Sequence, residues 1–187
     1  IEDTTVPTLT APADITVECI SDVPAVYGSF AEWTTAGGSG SDNCSLDNST
    51  FAFAGVTDDG NTCPKTLTRT YYIEDDCGNS ITTTQDIIIN DITDPTASNP
   101  APVSVECAGD VPAPDISVVT DEADNCTAAP TVAFVGDVSD GNTCPEVITR
   151  TYSVTDDCGN SITVDQTITI NDITAPTASD PSPVTVE

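Results

Sequence analysis

The feature that most constrains the fold of this chain is an internal repeat. Three motifs, GNTCP, DDCGNSIT and NDIT, begin at residues 60, 75 and 90 and return in the same order 81 positions later. A fourth motif, VEC at Val17–Cys19, returns 88 positions later at Val105–Cys107, so the first repeat carries seven extra residues. A repeat of about 80 residues has the size of a small domain, and the chain is expected to fold as similar units in series.

The repeat predicts five segments along the chain. They are the end of a preceding repeat with its linker (1–10), repeat 1 (11–93), a Pro-rich linker (94–99), repeat 2 (100–174), and a linker with the first strand of a following repeat (175–187). Proline at the density found in the linkers favours extended, semi-rigid backbone. We therefore expect the repeats to form an elongated array.

Composition within the repeats favours strands and turns. Thr, Ser, Asp, Val, Pro and Ile dominate, while long helix-forming residues are scarce. In repeat 2, apolar runs bounded by Asp, Gly, Asn and Pro predict strands at Pro102–Glu106, Ile116–Thr120, Thr131–Val138, Val147–Thr155 and Ser161–Ile170. The expected fold class is all-β, with tandem immunoglobulin-like β-sandwich repeats.

The last two of these strands predict a hairpin with a defined register. Both apolar faces must point to the core, which requires that the numbers of opposite residues have an even sum. Pairing Asp156 with Asn160 meets this condition and leaves a three-residue loop that ends at Gly159, a residue able to adopt the left-handed conformation that such loops need. Repeat 1 gives the same solution around Asp76–Gly78.

This register places one arginine of each repeat on the apolar face. Arg150 is expected opposite Gln166, and Arg69 opposite Gln85. A buried guanidinium needs partners for its donors. We expect a structural polar pair in which glutamine and a carboxylate hold the arginine, and a ligand-binding arginine is the alternative.

Eight cysteines, four in each repeat, predict disulfide bonds. The chain has no His and no C-x-x-C spacing, which disfavours zinc, and disulfides indicate an oxidising compartment outside the cell. Cys144 and Cys158 flank an extended segment of about 45 Å, too long for a bond, and excluding this pair excludes its complement. An immunoglobulin-like path then brings the first and third cysteines to one end of the repeat and the second and fourth to the other. The predicted disulfides are Cys19–Cys63, Cys44–Cys77, Cys107–Cys144 and Cys126–Cys158.

The net charge excludes several classes of partner. With 31 acidic and 3 basic residues, the chain has a net charge of -28, which repels nucleic acid and anionic membranes. No apolar run approaches the ~20 residues of a transmembrane helix, so direct membrane insertion is not expected. Without His, and with the single Lys in repeat 1, no catalytic residues are predicted and the chain is not expected to be an enzyme.

The acidic loops instead predict a cation site. If the DNC and DDCGN motifs meet at one end of a repeat, close to the NDIT linker, their carboxylate and amide oxygens gather as calcium requires. The candidate calcium ligands are Asp42, Asn43, Asp75, Asp76, Asn79, Asn90, Asp91, Asp124, Asn125, Asp156, Asp157 and Asn160. The alternative is that Asp and Asn occur here because their side chains hydrogen-bond turn backbone. Calcium is the only candidate cofactor.

Several motifs in a fixed order resemble one family of extracellular modules. They are ITVE at Ile15–Glu18, DNC at Asp42–Cys44 and Asp124–Cys126, TRTY at Thr68–Tyr71 and Thr149–Tyr152, and DDCGNSIT followed by NDIT. Together they are similar to the hyalin-repeat (HYR) family, and especially to its cysteine-bearing bacterial branch. The resemblance covers both repeats and implies an immunoglobulin-like β-sandwich with a role in cell adhesion or surface display. Tandem cysteine-rich versions resemble the stalks of very long secreted adhesins of Bacteroidetes, including those of gliding motility.

The sequence therefore predicts a structural role. We expect a stalk or spacer segment of a secreted, cell-surface repeat adhesin, stiffened by disulfides and, if the acidic loops bind it, by calcium. The alternative is a calcium-dependent adhesion module for glycan or protein, in which Phe30, Trp33, Tyr71 and Tyr152 would stack on sugars rather than fill the core. The expected partners are neighbouring repeats of the same chain, with surface glycans or other adhesin chains in a filament as further candidates.

Overall fold

Ten β-strands and one short α-helix form the regular structure of residues 3–184, which the computed structural model describes. The strands are β1 (Thr8–Thr10), β2 (Ile15–Val17), β3 (Ser39–Ser41), β4 (Leu46–Asp58), β5 (Lys65–Asp75), β6 (Ser80–Ile89), β7 (Val103–Val105), β8 (Thr131–Ser139), β9 (Glu146–Thr155) and β10 (Ser161–Ile170). The helix, α1, spans Phe30–Thr35, and single turns of 3-10 helix span Ile20–Asp22, Ala108–Asp110 and Ile116–Val118. In residues 3–184, no helix combines the length and the apolar character that a membrane span requires. The predicted all-β fold class is confirmed.

The chain divides into two compact units. Unit 1 contains the chain up to Pro95 together with two loop segments, Ala123–Pro130 and Thr155–Asn160, and unit 2 contains the other described residues. Each unit has a four-stranded sheet, with the order β2-β6-β5-β4 in unit 1 and β7-β10-β9-β8 in unit 2. Because repeat 2 supplies the two loop segments of unit 1, the compact units do not coincide with the repeats.

The sheet of unit 1 has the hairpin register predicted from the sequence. In the antiparallel pair β5 and β6, Arg69 lies opposite Gln85, and the Asp75 N–H donates to the Asn79 carbonyl oxygen at 3.0 Å to close the loop. Every second side chain of β5 is buried from Arg69 to Asp75. The even-sum condition therefore identified the buried face correctly, because a shift by one residue would have exposed the whole set.

The buried face of this sheet packs against α1 and β1. Trp33 of α1 and Leu9 of β1 join Phe51, Tyr71 and Ile73 in one apolar cluster. The ring of Trp33 is fully buried, with its centroid 4.8 Å from that of Tyr71. Unit 1 thus has two layers, consistent with a β-sandwich, and Trp33, Phe51 and Tyr71 fill its core.

The extra residues of repeat 1 support this core. They include Gly38, where a Cβ atom would lie 2.4 Å from Nε1 of Trp33, so only glycine fits beneath the ring. The helix itself begins after Ser29, whose hydroxyl accepts a hydrogen bond from the Glu32 N–H at 3.3 Å. Because the chain has a single Trp, repeat 2 cannot build the same core.

Unit 2 has a smaller core, and one predicted strand is wrong. Val119, Tyr152 and other apolar residues of the sheet are buried together. The segment before Val119 forms a 3-10 turn at Ile116–Val118, where the sequence predicted a strand over Ile116–Thr120. Asp115 is the cause, because its carboxylate accepts hydrogen bonds from the backbone N–H and the hydroxyl of Ser117 at 2.9 and 2.7 Å.

Arg150 is buried on the sheet of unit 2 and is held by a carboxylate. Its guanidinium donates two hydrogen bonds to Asp137, both at 2.8 Å, and one to the carbonyl oxygen of Pro112 at 2.9 Å. Arg69 in unit 1 lacks such a carboxylate, because Val56 occupies the repeat position of Asp137. Its guanidinium donates instead to two backbone carbonyl oxygens.

The two glutamines predicted to hold these arginines have another role. Gln166 donates to the Ala101 carbonyl oxygen at 3.0 Å, and Gln85 donates to the Ala13 carbonyl oxygen at 2.8 Å. Ala101 lies just before β7, and Ala13 lies just before β2. Each of these short strands is an edge strand of its sheet. In place of the predicted contact with arginine, each glutamine therefore attaches the edge segment to the sheet.

Replacing Asp137 with Asn should destabilise unit 2 in a pH-dependent manner. The hydrogen bonds from Arg150 hold the pKa of Asp137 below its ordinary value, although burial acts in the opposite direction. Because the folded-state pKa is the lower one, the ion pair stabilises the fold above about pH 4, and this contribution is lost as the pH falls through the folded-state pKa. We expect Asp137→Asn to lose about 1–2 kcal/mol at pH 7 and much less at pH 2, measured by urea unfolding with circular dichroism.

The matched control is Asp110→Asn, which removes the same charge from an exposed turn of unit 2. This variant should unfold like the parent at both pH values. A loss for Asp137→Asn that is equally large at pH 2 and pH 7 would contradict an ion-pair role.

Candidate metal centre beside two disulfides

The hairpin loop between β9 and β10 is organised by one carboxylate. Oδ1 of Asp156 accepts hydrogen bonds from the backbone N–H groups of Cys158 and Asn160, both at 2.8 Å, and Oδ2 accepts one from the Asn160 side-chain amide at 2.7 Å. Gly159, with φ of 93°, makes the left-handed turn that the three-residue loop requires. Asp156 therefore serves as a turn residue, and it fixes the position of Cys158.

A second loop is organised in the same way. Oδ2 of Asp124 accepts hydrogen bonds from the backbone N–H groups of Cys126 and Thr127 at 2.8 and 2.7 Å. The Thr127 hydroxyl accepts a hydrogen bond from the Asp157 N–H at 3.1 Å, which joins this loop to the hairpin loop. The two loops thus present Cys126 and Cys158 to one cavity.

The ends of β2 and β6 supply the facing side of the site. Glu18 and Cys19 follow β2, and Asn90 and Asp91 follow β6. The two strands are parallel, so their carboxyl ends lie at the same edge of the sheet. A hydrogen bond of 2.9 Å from the Asn90 N–H to the Val17 carbonyl oxygen continues this pairing beyond the strands.

Two disulfide bonds join these elements. Cys19 bonds to Cys126 with Cα atoms 5.0 Å apart, and Cys63 bonds to Cys158 with Cα atoms 5.1 Å apart. Both separations are ordinary for disulfides. All four cysteines belong to unit 1, although two come from repeat 1 and two from repeat 2.

These bonds replace the predicted pairs Cys19–Cys63 and Cys126–Cys158. The prediction considered partners only within one repeat. In the structure, the Asn160 side-chain amide donates to the Asp91 carbonyl oxygen at 3.0 Å, so the loops of repeat 2 lie against the strand ends of repeat 1 within unit 1. The sulfur atoms that come together therefore belong to different repeats.

The other four cysteines are free and exposed, so the predicted bonds Cys44–Cys77 and Cys107–Cys144 are absent. Cys44 lies in an acidic environment. A hydrogen bond to Asp3, together with the charges of Asp3 and Asp42, raises the pKa of its thiol to about 11. Cys44 is therefore protonated at neutral pH.

A buried carboxylate, Asp91, and a half-buried one, Asp124, come together beside the bond between Cys19 and Cys126. One oxygen of Asp91, one of Asp124 and the Cys126 sulfur lie within 4.8 Å of one another. Asp91 is 4% exposed, and its Oδ1 accepts a hydrogen bond from the Thr93 N–H at 3.0 Å. Its Oδ2 and Oδ1 of Asp124 are buried with no hydrogen-bond partner in the described part of the chain.

The two carboxyl groups have opposite pKa shifts. Burial raises the pKa of Asp91, and the charges of Asp124, Asp156 and Glu18 add to this effect. Burial also acts to raise the pKa of Asp124, but hydrogen bonds from backbone N–H groups outweigh it and lower the pKa. The pair can hold one cation, either a proton on Asp91 or a metal ion. Since the Cys126 sulfur is in a disulfide and is not a thiolate, the ligands on offer to a metal are oxygen atoms, which suits a hard cation.

Further oxygen atoms surround the pair. Oε2 of Glu18 accepts hydrogen bonds from the Thr93 hydroxyl at 2.7 Å and from the Asn125 side-chain amide at 2.9 Å. A cavity of about 430 Å³ is lined by Glu18, Asp91 and Asp157 and by cysteines of both disulfides. Several carboxylates therefore border one space.

A second acidic cluster in unit 1 has the same arrangement, with one carboxylate from segment 1–10 and one from repeat 1. One oxygen of Asp3, one of Asp42 and the Cys44 sulfur lie within 4.8 Å of one another. Oδ2 of Asp3 and Oδ1 of Asp42 are buried with no hydrogen-bond partner among residues 3–184. The Asn79 side-chain amide donates to the Asp3 carbonyl oxygen at 3.1 Å, the counterpart of the contact made by Asn160.

The structure separates the predicted calcium ligands into groups. Three converge with another carboxylate: Asp42, Asp91 and Asp124. Two hold their hairpin turns through backbone hydrogen bonds: Asp75 and Asp156. The remaining candidates add no carboxylate to either cluster of the described residues: Asn43, Asp76, Asn79, Asn90, Asn125, Asp157 and Asn160.

Sequence reasoning did not select two residues that the structure places at these clusters: Asp3 and Glu18. A signal existed for Asp3, because the shift of 88 positions relates it to Asp91. The same shift relates Glu18 to Glu106 in the VEC motif, but a glutamate beside a cysteine carries no indication of which loop will face it.

Residues 95–170 match the model of a family described as HYR-like domain with 4 cysteines. The matched residues include β7 to β10 and all four cysteines of repeat 2. The match supports an HYR-like repeat at these positions. No curated protein matches the chain.

Peptide mapping of the oxidised protein should identify the two disulfides. We expect Cys19 linked to Cys126 and Cys63 linked to Cys158 after the free thiols are alkylated and the chain is digested with an acid-specific protease, because these sulfur atoms are bonded in the structure. The measurement is mass spectrometry under non-reducing conditions. Peptides that link Cys19 to Cys63 would instead favour pairing within the repeat.

Proposed function

We propose that this chain is a segment of the stalk of a secreted, cell-surface adhesin, in which HYR-like repeats act as spacers. The observation that carries the proposal is that two disulfides connect repeat 1 to the loops of repeat 2. Tension along such a chain is borne by covalent bonds as well as by hydrogen-bonded strands. A connection of this kind suits a part whose task is mechanical.

An HYR-like domain and two disulfides fit an extracellular adhesion-type module. Disulfides form and persist mainly in oxidising environments, including the cell exterior. Secretion is part of the proposal on these grounds.

The exposed aromatic residues favour a spacer over a glycan-binding module. In residues 3–184 the exposed aromatic side chains are Phe53 and Phe134, which occupy the same position in the two repeats. Trp33, Tyr71 and Tyr152 are fully buried and cannot stack on a sugar. A binding module is expected to vary its exposed aromatics from repeat to repeat, whereas spacers can repeat them.

Calcium at Asp91 and Asp124 is the second part of the proposal. Two buried carboxylate oxygens without partners are unfavourable, and a divalent cation would satisfy both. Glu18 and Asp157 line the same cavity as Asp91, and calcium accepts carboxylates together with water as ligands. Because the acids come from both repeats, the ion would add to the stiffness that the disulfides provide.

Calcium should raise the melting temperature of the chain, and Asp91→Asn should reduce the increase. For a dissociation constant of about 10⁻⁴ M, 10 mM calcium stabilises the folded state by about 2.7 kcal/mol, which corresponds to about 5–10 °C. The Asn side chain keeps an acceptor for the Thr93 N–H but lacks the charge that the cation needs. Thermal unfolding followed by the fluorescence of Trp33 in calcium and in chelator measures the effect.

The control variant is Asp76→Asn, which removes an exposed acid from the hairpin loop of repeat 1. It should keep the full calcium effect. A shift below about one degree in the parent, or an equal shift in Asp91→Asn, would rule out calcium at this position.

Reduction should release a defined length when the chain is stretched from its two ends. The bond between Cys19 and Cys126 bridges 107 positions and shields the chain between them from tension. With both bonds intact, only the 32 positions from Cys126 to Cys158 carry tension between Cys19 and Cys158. Reducing both bonds frees the other 107 of these 139 positions and should lengthen the unfolded chain by about 370 Å, at about 3.5 Å per residue. Single-molecule force spectroscopy of the alkylated, oxidised chain before and after reductant measures this length.

Within-repeat bonds would give a different value. Cys19–Cys63 and Cys126–Cys158 would bridge 44 and 32 positions and release about 270 Å in total. A Cys19→Ser variant is the matched control, because the remaining bond bridges 95 positions and should release about 330 Å. No change in length on reduction would contradict the mechanical role of the disulfides.

A further inference from the structure

Four exposed cysteines take no part in the bonds described above. We name Cys107 and Cys144 in unit 2 the strand-end pair, and Cys44 and Cys77 in unit 1 the loop-end pair. Through the repeat, the strand-end pair corresponds to the bonded cysteines that repeat 1 supplies, and the loop-end pair corresponds to those that repeat 2 supplies. The two disulfides between repeat 1 and repeat 2 form a junction that the chain already contains. Each free pair is equivalent to the cysteines on one side of that junction.

The surroundings of the strand-end pair reproduce those of its bonded counterpart. The Asn171 N–H donates to the Val105 carbonyl oxygen at 2.9 Å, as the equivalent bond in unit 1 does at 2.9 Å. The Thr174 hydroxyl donates to Oε2 of Glu106 at 2.9 Å, against 2.7 Å in unit 1. The Cys144 sulfur lies 3.6 Å from Oδ1 of Asn171, against 3.7 Å. This end of unit 2 therefore has the contacts of the bonded end.

The loop-end pair is also held in the bonded arrangement. Oδ1 of Asp75 accepts hydrogen bonds from the N–H groups of Cys77 and Asn79 at 2.8 and 2.9 Å, and Oδ2 of Asp42 accepts one from the Cys44 N–H at 2.7 Å. The three corresponding distances around the bonded cysteines of repeat 2 are each 2.8 Å. The strand-end pair and the loop-end pair therefore both have the local hydrogen bonds found around the bonded cysteines.

We propose that the strand-end pair bonds covalently to the loop-end pair of another HYR-like repeat, so that disulfides connect successive repeats and do not close within one. Cys107 bonds to a cysteine in the position of Cys44, and Cys144 bonds to a cysteine in the position of Cys77. The partner is a repeat with the DNC and DDCGN motifs. The inference does not rest on the stalk function, because it concerns only which sulfur atoms bond.

A polar contact adds to the recognition of this partner. Inside unit 1, the Asn125 amide donates to Glu18 at 2.9 Å beside the bond between Cys19 and Cys126. Glu106 and Asn43 occupy the same two repeat positions at the free ends. Their hydrogen bond would orient the two ends before the sulfur atoms react.

Each new bond requires an oxidant, and a small-molecule disulfide such as oxidised glutathione is sufficient. The Cys107 thiolate attacks one sulfur of that disulfide and releases one glutathione thiol. The partner cysteine, deprotonated, then attacks the mixed disulfide and releases the second. Two protein thiols lose two electrons and two protons in total, and the glutathione disulfide gains them.

A three-repeat chain tests the proposal. It consists of the full chain followed directly by a second copy of residues 19–93, because Glu187 occupies the repeat position of Glu18. After oxidation in a glutathione buffer and alkylation, non-reducing mass spectrometry should find Cys107 linked to Cys44 of the appended copy and Cys144 linked to Cys77 of that copy. Cys107 linked to Cys144, or all four recovered as alkylated thiols, would overturn the proposal.

Two variants keep the result interpretable. Cys44→Ser in the appended copy should leave Cys107 alkylated and keep the bond to Cys144, whereas Cys44→Ser in the first repeat should change neither new bond. The bond between Cys19 and Cys126 in the same digest reports that the parent chain has folded. This outcome is independent of the force measurement, so failure of the stalk function and failure of the junction are distinguishable.

Discussion

Two disulfide bonds inside unit 1 stabilise a folded state that apolar packing alone would stabilise poorly. The apolar clusters of the two units contain only five and four buried residues, and a net charge of -28 opposes compaction. The bonds close loops of 107 and 95 positions. By loop-closure entropy, a loop of about 100 residues stabilises the folded state by about 4.7 kcal/mol. The acidic loops that carry Cys126 and Cys158 keep their shape through their own hydrogen bonds, and the disulfide bonds attach them to repeat 1.

The abundant carboxylates have two separable roles. Asp75 and Asp156 accept backbone N–H groups in their own loops and are needed for the turn, whether or not a cation is present. Asp91 and Asp124 each keep one buried oxygen that has no hydrogen-bond partner within residues 3–184, and the two carboxylates lie together. Turn chemistry and cation chemistry were alternatives for the whole acidic set in the sequence. In the structure, Asp75 and Asp156 hold turns, whereas Asp91 and Asp124 have oxygen atoms available to a cation.

Local patterns in the sequence predicted the hairpins well, whereas contacts between distant segments were mostly beyond it. The register of β5 and β6 follows from parity and from one glycine, both of which are local. The strand predicted at Ile116–Thr120 is wrong because Asp115 caps a 3-10 turn there. The alternation of apolar residues gives no information about such a cap. Asp137 was not identified as the partner of Arg150 because it lies on a third strand whose register no motif defines.

The disulfides show the same limit. Cysteine spacing within a repeat excluded one pairing correctly, but it carries no information about which end of one repeat meets which loop of the next. Within unit 1, the hydrogen bond from the Asn160 amide to the Asp91 carbonyl oxygen lies at this meeting point, and no motif of the sequence indicates it. The shift of 88 positions that relates Asp3 to Asp91 was the one feature of the sequence that pointed to the arrangement.

The order of the bonded cysteines along the chain has a consequence for survival outside the cell. Cys19 and Cys63 precede Cys126 and Cys158, and each bonds across the other, so the two loops interlock. A single cut by a protease at any peptide bond from Cys19 to Cys158 therefore leaves both pieces joined through at least one disulfide. An adhesin built this way can be nicked in its exposed loops and still hold whatever is attached at its far end.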